Sequence, residues 1–140
     1  RTSFATWCSS ADECFAMDAQ GFIFAPSDDV PQTALIFRGG LIVDKDPIGQ
    51  HFLRGRMPAI LALMTDLENA GFKASGLSIE TEKDFSVTLL EGPRLLVSFE
   101  MESEDVIKNL KTALEADSLN SRLTELEYID LRFGNRVYYK

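Results

Sequence analysis

The chain has 140 residues, of which 45% are hydrophobic and only five are proline, which argues against disorder and fits one globular domain. Twenty-two acidic against fourteen basic residues give a net charge of −8, which disfavours nucleic acid and anionic lipid headgroups as partners. The longest apolar run, residues 59–64, is far shorter than the ~20 residues that cross a bilayer.

The N-terminal part of the chain predicts short strands joined by tight turns. Aromatic and β-branched residues in short runs predict strands at residues 2–7, 14–18, 22–25, 33–37 and 41–43. A loop is predicted at residues 26–32, which contain two prolines and two aspartates, and a turn at Gly39 and Gly40. The first three strands are expected to form a meander.

Cys8 and Cys14, the only cysteines, lie where the first predicted strand ends and the second begins. The short polar stretch between them permits a disulfide across the start of a hairpin, if the Cα atoms come within roughly 4.4 to 6.8 Å. The alternative is a pair of reduced, partly buried thiols. A metal site is disfavoured, because His51 is the only histidine and two sulfurs do not complete a tetrahedral shell.

A helical period begins at residue 58. Between residues 58 and 70 the apolar positions recur with helical spacing, at Ile60, Leu63, Met64 and Leu67. Pro58 suits a first helical turn, and Gly71 is placed to end the helix. This segment is the first predicted helix.

The second half of the chain predicts three strands and another helix. The strands are expected at residues 77–79, 85–89 and 95–99, with the last two joined as a hairpin. Ser103 is a favourable N-cap for the helix that follows, and the acids after it suit the positive end of the helix dipole.

The C-terminal residues 128–140 predict a β-hairpin. Gly134 and Asn135 separate two β-rich runs, and glycine first in a two-residue loop suits a type II′ turn. Alternation places one side of the first run in the core, namely Ile129, Leu131 and Phe133. The second run, residues 136–140, has no later strand to pair with, so it is expected to form an open sheet edge.

This edge carries aromatic and basic residues. Tyr128, Tyr138 and Tyr139 are the only tyrosines, and the basic residues of the segment are Arg132, Arg136 and Lys140. Tyrosine and arginine are favoured at protein interfaces. The alternatives are that the aromatic residues are present for their β-propensity and that the edge charges prevent aggregation. The predicted fold is α+β: a mostly antiparallel mixed sheet, two amphipathic helices on one face, and a C-terminal hairpin with an open edge strand.

No pattern of catalytic residues is present. His51 has no nucleophile motif near it, and the acid pairs lie in a polar loop and at a helix N-terminus. Phosphate-binding and dinucleotide-binding glycine motifs are absent. A non-enzymatic domain without a cofactor is therefore expected.

The segment Tyr-Ile-Asp-Leu-Arg-Phe at residues 128–133 resembles the C-terminal strand of the extracytoplasmic β domain of the bacterial cell-division protein FtsQ, called DivIB in Gram-positive bacteria. The resemblance extends back through the helix after Ser103 and the strands at residues 95–99 and 85–90. It reaches, more loosely, the strand, Asp, Gly and strand pattern of residues 14–24. The motifs are short, but together they cover nearly the whole chain.

The resemblance implies a single-pass protein of the cell membrane, with a membrane-proximal POTRA domain followed by this domain outside the membrane. Residues 1–7 would then be the end of the POTRA domain or a linker from it, and residues 8–140 the β domain. The upstream membrane helix would lie before Arg1, where the chain begins without a methionine. An oxidising compartment would favour the Cys8–Cys14 disulfide.

The family is a non-enzymatic scaffold that binds FtsB (DivIC in Gram-positive bacteria) and FtsL, and so helps control septal peptidoglycan synthesis. Its partner-binding strand pair corresponds here to Tyr128, Arg132, Phe133, Arg136, Val137, Tyr138 and Tyr139. The rival hypothesis is a small-molecule-binding or catalytic α+β domain of other ancestry, whose mark would be a deep apolar pocket with convergent polar groups.

Overall fold

One mixed β-sheet organises the chain. The structure, a computed structural model, describes residues 1–30, 35–116, 118–134 and 136–140. The strands are β1 (Ala5–Cys8), β2 (Cys14–Met17), β3 (Ile23–Pro26), β4 (Ile36–Arg38), β5 (Ala74–Ile79), β6 (Asp84–Leu89), β7 (Arg94–Ser98), β8 (Tyr128–Phe133) and β9 (Arg136–Tyr139). The helices are α1 (Met57–Asn69) and α2 (Ser103–Ala116), with 3₁₀ segments at Ser27–Asp29 and Leu119–Glu125.

The sheet order is β3-β2-β1-β4-β5-β6-β7-β8-β9. Consecutive strands pair antiparallel within β1–β3, β5–β7 and β8–β9, and three junctions, β1–β4, β4–β5 and β7–β8, are parallel. The α+β class with a mixed sheet is therefore confirmed. The parallel junctions occur where a helix or a long connection separates the paired strands, because parallel neighbours cannot be joined by a hairpin.

The predicted strand at residues 41–43 is wrong. Gly39 and Gly40 both have positive φ, 78° and 73°, but they lead into an irregular segment instead of a hairpin. β4 has β1 on one side and β5 on the other, both parallel to it, so no position beside it remains for a returning strand. The predicted loop at 26–32 and strand at 33–37 fall partly outside the described residues.

β1 crosses the predicted boundary between residues 1–7 and 8–140. It spans Ala5–Cys8 and pairs with β2 and with β4, so residues 5–7 belong to the same sheet as the rest of the chain. At the end of this pair, Cys8 and Cys14 lie directly opposite each other and form a disulfide, with a Cα–Cα distance of 4.2 Å. The first hairpin is thus covalently closed.

α1 starts and ends close to its predicted positions, and α2 starts at the predicted residue. α1 has Pro58 in its first turn, and Gly71, with φ of 95°, follows its C-cap residue Ala70. Ser103 is the first residue of α2, and its hydroxyl donates a hydrogen bond to Asp66 Oδ2 of α1 at 2.5 Å. This bond connects the two helices at one end.

The two faces of the β5–β9 half differ in polarity. On one face, α1 and α2 pack against strand residues that are almost completely buried: Leu77, Val87, Leu95 and Ile129. On the other, the register aligns Ser78, Ser86, Leu96, Asp130 and Tyr138. We call these the helix face and the open face. Alternation along each strand therefore separates the apolar residues under the helices from the more polar residues of the open face.

Candidate partner-binding edge

The β8 motif combines a core face and a charged face. Ile129 and Leu131 are fully buried in the main apolar cluster. Asp130 lies between them on the open face and is only 5% exposed. A carboxylate so deeply buried requires partners, because burying an unpaired charge costs several kcal/mol or more.

Arg132 supplies those partners. Its Nε donates to Asp130 Oδ1 at 2.9 Å and its Nη2 to Asp130 Oδ2 at 2.7 Å, a bidentate pair. Its Nη1 also donates to Asp84 Oδ2 on β6 at 3.1 Å. Arg132 therefore reaches across β7 and links β8 to β6 on the open face.

The ion pairs shift the ionisation of their members. Burial alone would raise the pKa of Asp130, but hydrogen bonds from the Arg132 side chain and backbone N–H outweigh it and lower that pKa. The hydrogen bond to Asp130, helped by Asp84, raises the pKa of Arg132. Both groups are charged over the physiological pH range, and the ion pair is part of the folded structure whether or not a partner binds.

Phe133 is not in the core, and the predicted burial of this residue is wrong. The β8–β9 register shifts between Asp130 and Phe133, which breaks the alternation that sequence reasoning assumed. The Phe133 side chain is 53% exposed, and its ring meets the Tyr138 ring edge-on, with centroids 5.6 Å apart. The bulge thus adds an aromatic residue to the accessible surface of the hairpin.

The predicted partner-binding residues of β9 are largely accessible. Arg136 is exposed, Tyr138 is 50% exposed and Tyr139 is 39% exposed. Val137 is half-buried against the apolar cluster. Tyr128, on β8, is also half-buried. Arg136 forms no ion pair with any described residue, in contrast to Arg132.

The hydrogen-bonding phase of β9 follows from Lys140, the residue directly after the strand. Tyr128 and Lys140 exchange backbone hydrogen bonds, with N–H to C=O distances of 3.3 and 3.2 Å. Such bonded pairs alternate with unbonded ones in an antiparallel ladder. Tyr138, opposite Asp130, therefore directs its N–H and C=O towards β8, whereas those of Val137 and Tyr139 point away from the sheet.

The hairpin is also held against α2. Asn109 Nδ2 donates to the Gly134 carbonyl at 2.9 Å, and Gly134 has φ of 62°, as either primed hairpin turn requires at this position. The turn type itself depends on Asn135, which lies outside the described residues. Val137 and Gly134 line a groove against α2, together with Asp105, Lys108 and Thr112. The edge is consequently presented by an anchored hairpin.

Sequence reasoning missed two of these links. Asp84 is 48 residues from Arg132, and Asn109 is 25 residues from Gly134. Neither contact has a periodic signal, because each depends on how distant elements are placed in the sheet. The sequence hinted at the network only through Asp130 and Arg132, two residues apart on one face of the predicted strand.

The other candidate chemistry lies apart from this edge. The His51 ring contacts the Phe22 ring, with centroids 4.9 Å apart. Among the described residues, no group of three or more His, Cys, Asp or Glu side chains could hold a metal ion. A cavity of about 260 Å³ between α1 and the start of α2 is lined by Ile60, Leu63, Phe99 and Arg56. The groups with shifted pKa values, Asp18, Asp130 and Arg132, do not line this cavity.

No helix formed by residues 1–30, 35–116, 118–134 and 136–140 is long and apolar enough to span a membrane. Comparison of the chain with protein-family models and with curated proteins gives no match. The resemblance to the FtsQ and DivIB β domain thus depends on the sequence motifs quoted above.

Proposed function

We propose that this domain is a non-enzymatic scaffold that binds a protein partner by β-strand addition to the outer edge of β9. The observation that carries the proposal is the phase of that strand: Val137 and Tyr139 direct their backbone N–H and C=O groups away from the sheet. An added strand would satisfy these groups while Tyr138 and Tyr139 contribute side-chain contacts.

The charge of the edge favours an acidic partner segment. The whole chain carries −8, but Arg136 lies on β9, Lys140 follows it directly, and Arg132 lies on the neighbouring strand. Arg132 is neutralised by Asp130 and Asp84, so Arg136 and Lys140 are the cations that the described part of the hairpin offers to a partner. Lys140 is 3.9 Å from Glu127, an exposed pair that solvent screens strongly.

The motif resemblance supplies the biological setting of the proposal. The partners would be FtsB-like or DivIC-like and FtsL-like division proteins, and the role would be control of septal peptidoglycan synthesis. The domain would lie outside a cell membrane, attached through an upstream POTRA domain and one membrane helix. The Cys8–Cys14 disulfide supports this placement, since disulfides persist in oxidising compartments.

The binding experiment is a titration of the chain with the extracytoplasmic region of an FtsB-like or DivIC-like protein. Tyr139→Pro removes an outward-facing N–H and should weaken binding at least tenfold, about 1.4 kcal/mol. Tyr139→Thr is the matched control, because it removes the ring and keeps the N–H. Equal binding by wild type and a folded Tyr139→Pro variant would place the interaction on another surface.

Proline at Tyr138 is unsuitable for this purpose, since its N–H faces β8. Charge reversal at Arg132 is also unsuitable. It would disturb the ion pair with Asp130, so an effect on folding could not be separated from an effect on binding. Arg136→Glu keeps every backbone N–H and leaves the Asp130 network intact. It should weaken partner binding and reduce the salt dependence of that binding.

The non-enzymatic part of the proposal has its own test. His51→Ala should leave partner binding and cell division unchanged, because the ring packs on Phe22 at a site away from β9. A division defect in this variant, at normal folding and abundance, would instead favour the rival small-molecule or catalytic function.

A further inference from the structure

The outer edge of β9 has its charges on one face. Tyr138 lies opposite Asp130 and therefore on the open face, and Lys140 lies opposite Tyr128 with the same phase. Alternation along β9 places Arg136 on that face too, two residues before Tyr138. The open face of the edge thus carries a basic, an aromatic and a second basic side chain in chain order, whereas Val137 and Tyr139 are on the helix face.

An open edge can in principle pair with the same edge of a second copy. The outward backbone groups belong to Val137 and Tyr139, so a two-fold antiparallel pair of β9 strands must match these residues with each other. The register with the greatest overlap pairs Val137 with Tyr139 of the second copy and Tyr138 with its own counterpart. That register also places Arg136 directly opposite Lys140, twice.

Opposed side chains in such a pair have Cβ atoms about 4.5 to 5.5 Å apart, and like charges at that separation are destabilising. A register shifted by two residues removes the clash but loses backbone pairs. Glu127 lies 3.9 Å from Lys140, but both side chains are highly exposed and the pair leaves Arg136 unneutralised. The repulsion therefore remains in the register that would otherwise bind best.

We propose that Arg136 and Lys140 select the occupant of the β9 edge: they reject a second copy of this chain and admit a strand that carries carboxylates four residues apart, opposite those two positions. Between the two carboxylates, the residue next to each of them would be apolar, since these two residues meet Val137 and Tyr139 on the helix face. This inference deepens the proposed function and concerns the same edge, but its test needs no natural partner.

The first test is self-association, measured by sedimentation equilibrium at low salt. Wild type should not pair through β9. Arg136→Glu replaces both repulsions by attractions in the register of greatest overlap, so its dimerisation should be at least about tenfold tighter than that of wild type. Reversing both positions, in the double variant Arg136→Glu with Lys140→Glu, restores like charges and should again prevent pairing.

The second test uses that double variant as an acidic edge on the same backbone. Mixed with wild type it should form a 1:1 heterodimer that weakens as salt is raised, because each basic residue then faces a carboxylate. Adding Tyr139→Pro to either chain should abolish the heterodimer, which locates the contact at the edge. Far-UV circular dichroism verifies that each variant remains folded.

Self-association of wild type as strong as that of Arg136→Glu, or a mixture that stays monomeric, would overturn the inference. If the mixture pairs as expected but an FtsB-like or DivIC-like protein does not bind, the inference stands and the proposed function fails. If that partner binds but the mixture forms no heterodimer, the inference fails and the proposed function stands. The two failures are therefore distinguishable.

Discussion

The two halves of the sheet are covered in different ways. β5–β9 are covered by α1 and α2, whose apolar residues join those of the strands in one cluster. β1–β4 are covered by the irregular residues 39–56, with the Phe52 ring 5.2 Å from the Phe37 ring and the Trp7 indole N–H donating to the Gly39 carbonyl at 2.9 Å. The same sheet therefore has a helical cover on one half and a loop cover on the other.

The loop cover depends on individual polar links. The Gln50 side-chain amide accepts a hydrogen bond from Ile42 N–H at 2.8 Å and donates to the carbonyls of Ile42, Lys45 and Asp46. A segment without a helical or strand ladder bonds its backbone groups to side chains, turns or water, and here one side chain provides four of these bonds. Val43 is 94% exposed, so residues 42–46 are held by polar links more than by apolar burial, whereas Phe37 and Phe52 beneath the loop cover are fully buried. The helical half should respond most to lost volume, and residues 42–46 to lost hydrogen bonds.

The largest effect is expected from a cavity in the helical half. Leu95→Ala removes a fully buried side chain on β7 and should lower the free energy of unfolding by about 3 kcal/mol. Leu90→Ala is the matched control, because Leu90 is mostly exposed, and should change it by less than about 0.5 kcal/mol. Denaturant unfolding measures both, and equal effects would refute the assignment of the core.

Neutralising Asp130 tests the polar face of the same half. Asp130→Asn leaves Arg132 partly buried with a weaker partner and should cost about 2 kcal/mol at pH 7, allowing for the partial exposure of Arg132. Because folding lowers the pKa of Asp130, its contribution is present above the unfolded pKa and is lost as pH falls through the folded pKa.

Wild type should consequently lose more stability than Asp130→Asn on acidification below about pH 4. Thermal unfolding between neutral and acidic pH measures this, with the exposed Asp44→Asn as control. Parallel pH profiles for wild type and Asp130→Asn would show that the pair with Arg132 does not stabilise the fold.

The disulfide tests the loop-covered half. Reducing Cys8–Cys14 opens a short covalent loop, so the loss of unfolding free energy should be at most about 2 kcal/mol. Intact-mass measurement after alkylation without reductant should find both cysteines protected in protein purified under oxidising conditions. Two alkylated thiols in such protein would contradict the bridge.

The smallest effect is expected at Gln50. Gln50→Ala removes the bonds that order residues 42–46 and should cost about 1 kcal/mol, and the Ile42 amide should exchange its hydrogen faster. Gln20→Ala, at an exposed turn residue, is the control for losing an amide side chain. Unchanged exchange at Ile42 would mean that the loop is ordered by other contacts.

Local patterns were sufficient for the elements with a clear period. The stripe of Ile60, Leu63 and Leu67 predicted a helix whose buried face is made of these residues, and Gly71 marked its end. The stretch 41–43 failed because a short apolar run has the same local appearance in a strand and in an irregular surface segment. Phe133 failed because a bulge changes the face of every residue beyond it.

The sequence by itself determined the α+β class, both helices and the hairpin with its aromatic and basic residues, since these follow from spacing along the chain. Only the tertiary structure decided that β1, β4 and β5 run parallel, that Arg132 bonds Asp130 and Asp84, and that Val137 and Tyr139 direct their backbone groups away from β8. These depend on register between strands, and register is set by packing of residues far apart in the chain, which leaves no periodic signal in the sequence.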